Sequence, residues 1–428
     1  MATKLKWQSF ALIDLHAVDR AIRLTGEAGM IIDTLEKPTS SAIDPFSPDY
    51  FRDPYPFHVQ LRDAGPVVWL EKWGVWAVAR FEQVQAVLGD WRTYCSSAGV
   101  GIVNEKKMGG WRKPSALLEK DPPEHTANRA IVSRILSPAA LRALRATFER
   151  EAEVLVDRVV GAGDLDGMAD FSEAFPMKVF ADAVGVPVEG RHHLVPWGNM
   201  VFNGMGPRNA LFDRAMANAD EVTAWITAAC KRENLTPDGL GAQVYTHVEA
   251  GEISADHAAL LVRSFLSAGV DTTTFAIGNA LFCFAMHPEQ WDVVRENPGK
   301  VKQAFEEIMR FESPFQTFFR TATCDTEIAG TAIPQDSKVL ISVAAANRDP
   351  RKWCNPDTFD IGRSTVGHVG FGAGIHGCVG QMIARLEVEV LLTALAKRAK
   401  RIEICGEPER LLHNTLRSFE KLPVRFHA

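Results

Sequence analysis

Phe371-Gly372-Ala373-Gly374-Ile375-His376-Gly377-Cys378-Val379-Gly380 sets one cysteine among glycines, just ahead of a helical pattern that runs from Val379 to Arg398. Glycine permits tight turns and close approach of the backbone to a flat ligand. A cysteine at the start of a helix meets the positive end of the dipole and free N–H groups, which favour the thiolate. Such a thiolate suits a haem iron as an electron-donating axial ligand. A zinc site would need more Cys or His ligands nearby, where His376 alone is at hand, and a cysteine nucleophile would need a base that no recognisable position supplies.

The rest of the chain has the composition of an ordinary globular protein. Its 428 residues are 46% apolar and 23% charged, enough to bury a large core. A net charge of −6 argues against a nucleic-acid binder that works by neutralising phosphates. The cysteines number 7, an odd count without a CxxC pair, which reads as unpaired thiols in a reducing compartment, and a cytoplasmic protein is expected. No apolar run is long enough for a membrane span, and Asp14, His16 and Asp19 break what could otherwise pass for a signal peptide. Residues 1–41 are set apart as an extension of unassigned role, with a mixed helical pattern from Phe10 to Leu35. Residues 42–428 are expected to form a single domain, mainly α with a small β part, in a chain expected to be a monomer. Val67–Leu70 and Val75–Ala79 predict a hairpin, and Thr326–Ile333, Lys338–Ser342, Arg401–Cys405 and Leu422–Phe426 carry further strand signals. From Pro138 to about Met286 the pattern is mostly helical.

One helix is expected from a cap at Ser254 to the stop at His287-Pro288. Ser264, Ser267, Ala268, Asp271, Thr272 and Phe275 recur along it at three- and four-residue steps and share a face. A polar seam inside an apolar helix reads either as hydroxyls bonded back to their own helix or as the wall of a reaction chamber.

The loop resembles the haem-binding signature of the cytochrome P-450 superfamily, F-x-x-G-x-[RH]-x-C-x-G, at every fixed position, with His376 in the basic slot. Three further stretches, in the matching order, extend the resemblance from about Ile43 to the end. Glu307-Ile308-Met309-Arg310 looks like the family's buried helical pair, which the resemblance completes with Arg363. Ala268-Gly269-Val270-Asp271-Thr272-Thr273 looks like its oxygen-activation motif: Gly269 would leave room for dioxygen, Thr272 would hydrogen-bond the oxygen being activated, and Asp271 would relay protons. Asp121 to Arg129 looks like the helix crossing the haem edge, so His125 and Arg129, with Arg320 and His376, would hold the haem carboxylates, while Phe371, Gly372 and Gly380 shape the loop. The resemblance implies haem b, dioxygen as co-substrate, and electrons from NADH or NADPH. They would arrive through a separate [2Fe–2S] ferredoxin and a flavoprotein reductase docking on the face nearest Cys378, where Arg129, Arg134 and Arg385 are candidates.

A finer similarity is to a bacterial subgroup that oxidises para-substituted benzoates, carried by Val201-Phe202-Asn203, Leu261-Val262-Arg263-Ser264 and Gln316-Thr317-Phe318-Phe319-Arg320-Thr321. It implies a benzoate carboxylate held by Ser115, Ser264 and Ser267, with Arg112 behind and Arg263 nearby, and a ring between Phe202 and Phe318. Ala268 shares the wall. Met205, Gly204 and Phe315 depart from the subgroup and leave substrate range and regioselectivity open; Met205 and Phe315 are still counted among the substrate-binding residues, Met205 as the more adaptable side chain and Phe315 as one that would narrow another wall. Ser264 and Ser267 lie roughly 6–11 Å along the helix from Asp271, about the length of a benzoate. The bland readings stay beside these: Arg112 as a solvated loop residue, the serines as packing. O-demethylation of 4-methoxybenzoate is the concrete expectation, with hydroxylation of 4-alkyl benzoates following from the same geometry. A monooxygenase of another small hydrophobic molecule such as a terpenoid, and a haem sensor or carrier without turnover, are the rivals. Asp271 and Thr272 argue against the last.

Overall fold

The computed structural model describes residues 39–428, and the helical pattern from Phe10 to Leu35 lies outside the described residues. Ser40–Ser41, at the end of the expected extension, form a short strand parallel to Val68–Leu70. The hairpin expected from the two short β-type runs forms: Val68–Leu70 pairs antiparallel with Val75–Val78, and Gly74 takes φ +60° in the turn. Lys338–Ser342 lies parallel to Val75–Val78, Thr317–Ala322 antiparallel to Lys338–Ser342, and Tyr94–Cys95 closes a six-stranded sheet. Thr326–Ile328 and Thr331–Ile333 make a separate small hairpin. Pro423–His427 is the central strand of a three-stranded sheet, antiparallel to Arg401–Ile404 on one side and to Asp164–Asp166 on the other.

Helices form most of the remaining body. Those that build the site are α1 (Glu124–Ile135), α2 (Pro138–Val159), α3 (Ala174–Val184), α4 (Leu194–Asn203), α5 (Ala255–Ala268), α6 (Asp271–Met286), α7 (Val301–Phe311) and α8 (Gln381–Arg398). Ser137 caps α2 with its hydroxyl and Pro138 opens it, a pairing that satisfies a free N–H where proline costs nothing. α2 packs along α8, so the helix after the cysteine loop is backed by apolar side chains such as Phe148, Leu155, Leu391 and Leu395. α8 starts at Gln381 rather than Val379, because Gly380 is its cap.

The helix expected from Ser254 to His287 is two helices. Ser254 does cap the first, accepting the His257 N–H at 3.2 Å. The main-chain ladder reaches Gly269 N–H to Phe265 O and resumes with Thr274 N–H to Val270 O. In between, Thr272 Oγ1 donates to Ala268 O at 2.6 Å, a hydroxyl replacing a main-chain donor. A side chain on Gly269 would run into the Phe180 ring of α3, 2.1 Å from where its Cβ would stand. Phe180 thus requires glycine at 269, and glycine's weak helix propensity falls at the break.

Glu307 and Arg310 on α7 have no exposed side-chain surface and form a two-pronged pair at 2.7 Å. Arg310 also donates to Asn347 O at 2.9 Å and Pro356 O at 2.8 Å, and Glu307 accepts the Asp360 N–H at 3.1 Å. Arg363 Nε stands 3.4 Å from Glu307 Oε1. The Arg310 and Glu307 charges neutralise each other, Arg363 adds a second cation beside the same carboxylate, and the segment leading to the cysteine loop hangs from them. Glu307→Gln would strand the buried guanidinium, which costs about 3–5 kcal/mol. Chemical denaturation should show that loss, and a change below about 1 kcal/mol, the value of an exposed pair, would contradict the role given to Glu307.

Candidate active site

Cys378 sits half-buried at the N-terminus of α8. Its N–H donates to Phe371 O at 2.8 Å, which closes the loop on itself. Burial pushes the thiol up, while backbone N–H groups of Gly380 and Gln381 and the charges of Arg129 and Arg385 favour the thiolate. Gly372 and Gly374, at φ +70° and +67°, turn the loop in a conformation that L side chains rarely adopt. A Cβ on Gly374 would also stand 2.4 Å from Leu88 O.

The four residues read as carboxylate anchors gather at the loop. His125 and His376 lie 4.3 Å apart, and Nε2 of each is buried without a hydrogen-bond partner among the described residues. Arg129 reaches Ile375 O at 3.3 Å. Arg320 is buried, donates to Phe319 O at 3.0 Å, and lies over the Phe318 ring. Burial, then the charges of His376 and Arg129, takes His125 down to about 4, and burial lowers His376 too. At neutral pH the two imidazoles are therefore neutral, and the positive charge expected of all four anchors rests on Arg129 and Arg320. Burial lowers Arg320 only to about 10. Two orphaned imidazole nitrogens, two guanidinium groups and a thiol on a helix terminus fit a flat macrocycle bearing two carboxylates and a metal.

At the break between α5 and α6, Ala268 is exposed and Thr272 half-exposed. Gly269 was expected to leave room on this side, but its open side faces Phe180. Asp271 and Thr272, neighbours in sequence, point apart. The Asp271 carboxyl is buried against α4, where a Cβ on Gly198 would stand 2.0 Å from its Oδ2. Burial, and to a lesser degree Glu173, raises its pKa well above the usual carboxylate range. Glu173 belongs to a π-helical turn, Gly167–Glu173, packed against α6.

Farther along α5, Ser264 Oγ meets Ser115 Oγ at 3.2 Å and donates to Leu260 O at 3.0 Å. Ser267 is not brought to them: it donates to Arg263 O at 2.8 Å and accepts from Trp197 Nε1 at 3.0 Å. Arg112 is not solvated, because Glu119 takes both its prongs at 3.0 and 2.9 Å and also accepts the Ser115 N–H at 2.6 Å. Arg263 bonds Lys113 O at 2.8 Å and Pro114 O at 2.9 Å; burial and the repulsion of Arg112 bring it down to about 10. Phe315 stands 5.7 Å from Phe202 and 5.4 Å from Phe318, so these rings form one cluster. Met205 is buried, and its carbonyl accepts the Ile102 N–H at 2.9 Å. Glu119, Trp197, Gly198 and Glu173 were not singled out in the sequence. Each acts through a partner that no local spacing announces.

Comparison with known proteins places this geometry. The sequence pattern of the family described as Cytochrome P450 matches residues 229–400. "Cytochrome p450 CYP199A2" of Rhodopseudomonas palustris is 50% identical over 384 residues, 90% of this chain and 93% of that protein. "Linalool 8-monooxygenase" of Pseudomonas putida is 30% identical over 404 residues, 88% of this chain and 97% of that protein. Among solved structures, epothilone D-bound cytochrome P450epoK matches with a TM-score of 0.80 at 26% identity, covering 90% of this chain and 99% of that one. Cytochrome P450 CREJ in complex with (4-ethylphenyl) dihydrogen phosphate matches with a TM-score of 0.79 at 25% identity, over 90% and 99% of the two chains. With half its residues identical across nine-tenths of its length, the chain belongs to the cytochrome P450 family, whose members are haem-thiolate monooxygenases.

Proposed function

We propose that this P450 oxidises the para substituent of a small benzoate, with O-demethylation of 4-methoxybenzoate as the concrete case and Cys378 as the iron's thiolate. The observation that carries the substrate class is the Ser115–Ser264 hydroxyl pair at 3.2 Å, backed by Arg112, Glu119 and Arg263. Two guanidinium groups and one carboxylate leave this end of the chamber with one net positive charge, the complement of a monoanion. Hydroxyls and a nearby cation offset the cost of burying a carboxylate. The aromatic cluster of Phe202, Phe315 and Phe318 suits the ring, and Ala268 lies on the way to the oxidising centre. The solved relative CREJ, which holds a para-substituted phenyl ring with an acidic phosphate, is in keeping with such a substrate.

Bound haem supplies the activation of dioxygen and the oxidation itself. This chain's residues do the rest. Arg129 and Arg320 offer charge, and His125 and His376 neutral donors, to the macrocycle's carboxylates. Asp271, whose burial favours its protonated form, serves as the donor that resupplies the reaction. Thr272 presents a hydroxyl oxygen whose own proton is given to Ala268 O. Electrons come from a redox partner, which we assign as a [2Fe–2S] ferredoxin served by an NADH- or NADPH-dependent flavoprotein reductase. A second reading, a monooxygenase of a small apolar alcohol, is favoured by Phe315 bridging the two rings and by the 30% identity to the linalool enzyme.

Titration with 4-methoxybenzoate should move the ferric haem from low to high spin, and Ser115→Ala with Ser264→Ala should weaken that binding by about 1–3 kcal/mol. No spin shift with benzoates, but one with a terpenoid alcohol, would select the second reading. Cys378→His should lose the red-shifted carbon monoxide band of the reduced protein, and a variant that keeps the band refutes the ligand assignment. Asp271→Asn should retain the substrate-induced spin shift yet form product on the order of 10²-fold more slowly with a ferredoxin partner. Undiminished turnover would remove Asp271 from proton delivery.

A further inference from the structure

Glu306 and Glu307 are adjacent on α7, yet they grip different segments. Glu307 holds Arg310 and the stretch around Asp360 and Arg363. Glu306 holds the two sides of the cysteine loop: it accepts His368 Nε2 at 2.9 Å from the segment before it, and Arg385 at 2.6 and 3.0 Å from α8 after it. His368 Nδ1 accepts the Gly370 N–H at 3.1 Å, which fixes Nε2 as the donor to Glu306. The Phe371 ring is enclosed by the same cluster. The Arg385 guanidinium lies 4.5 Å from its centroid, with His368 and Phe305 of α7 at 6.0 and 6.2 Å. The carbonyl of that same Phe371 accepts the Cys378 N–H at 2.8 Å. A continuous path thus leads from the Glu306 carboxylate through Arg385 and His368 to Phe371, and from Phe371 to the residue bearing the sulfur.

Burial works against the Glu306 charge, but the hydrogen bonds and charges of His368 and Arg385 outweigh it and take the carboxyl down to about 2. The pair with Arg385 is nevertheless partly exposed, 23% and 29%, and Arg385 lines a surface groove of about 300 Å³ between α2, α7 and α8. A pair this open to solvent contributes little to overall stability. Its forked geometry and its hold on an aromatic ring are better suited to placing a neighbour than to holding up the fold.

We propose that Glu306 is a positioning residue for the thiolate, acting through Arg385, His368 and Phe371 to fix the cysteine loop and keep water from the Cys378 sulfur. This rests on Cys378 being the haem ligand. Without the carboxylate, Arg385 swings into the groove, Phe371 loosens and water reaches the sulfur. A hydrogen-bonded thiolate gives less charge to the metal, so the ferrous form gains.

The test is a spectroelectrochemical titration of full-length holoprotein, wild type against Glu306→Gln, with the carbon monoxide spectrum of the reduced form followed over time. The variant should take up haem fully and stay folded at the assay temperature, with at most a modest fall in its unfolding midpoint from the lost pair. Its ferrous form should gain about threefold, roughly 28 mV at 59 mV per decade for a one-electron couple. Its red-shifted band should decay faster than that of the wild type. Arg385→Lys, which keeps the surface charge but loses the fork and the flat stack, should move both readouts the same way, and it serves if Glu306→Gln does not fold. Glu306→Asp should restore part of the potential. Unmoved potential and band lifetime in folded, haem-loaded variants overturn the proposal while leaving the haem-thiolate reading intact. A wild-type protein without the red-shifted band overturns that reading and the proposal together.

Discussion

A guanidinium and a carboxylate sealed from solvent, Arg310 and Glu307, are what the proximal half of this protein is built around. Two charges taken into the interior are tolerable only when every donor is used. Arg310 therefore reaches out to the carbonyls of Asn347 and Pro356, and those bonds define where the chain runs next. Asn347 passes the constraint on: its side chain accepts the Val369 N–H at 2.8 Å, and Val369 O in turn accepts from Gly372 at 2.8 Å. The cysteine loop is thus suspended from a charge pair it does not touch. The loop needs this support because its glycines cannot supply rigidity of their own.

The opposite half works by different means. Around α5 and α6 the polar groups are mostly neutral hydroxyls tied back to helix carbonyls, as in Ser264 to Leu260 and Ser267 to Arg263. Charge enters in compensated form, Arg112 locked to Glu119, with Arg263 capping loop carbonyls. A chamber built this way holds one guanidinium, that of Arg263, without a carboxylate partner, and an arriving monoanion balances it. The aromatic cluster beside it supplies shape rather than charge.

What could be read from the amino-acid sequence was what repeats at short range. The first hairpin, the glycine-rich turn before α8, and the spacing of Glu307 and Arg310 are local patterns, and each stands in the structure where its spacing put it. The division between α5 and α6 was not legible, because the Thr272 hydroxyl there takes up a helix carbonyl in a way that spacing alone does not reveal. Nor was the fate of Arg112, whose partner Glu119 is reached through a loop with no period to reveal it. Ser267 shares a helical face with Ser264, yet Trp197 of α4 claims its hydroxyl. Phe315, expected to narrow a wall of its own, joins Phe202 and Phe318 into one cluster. Periodicity tells which side of a helix a residue occupies. It is silent on which neighbour competes for it.

Gly198 shows how far that competition can extend. The seat of the Asp271 carboxyl is a hydrogen atom on another helix, and any larger group at that position would collide with it. Eviction would push the acid towards water, where it would ionise like any aspartate. The acid strength of one residue is therefore encoded in what a different residue lacks. A methyl group gained on α4 would act as a deprotonating mutation without ever touching a titratable side chain's own codon.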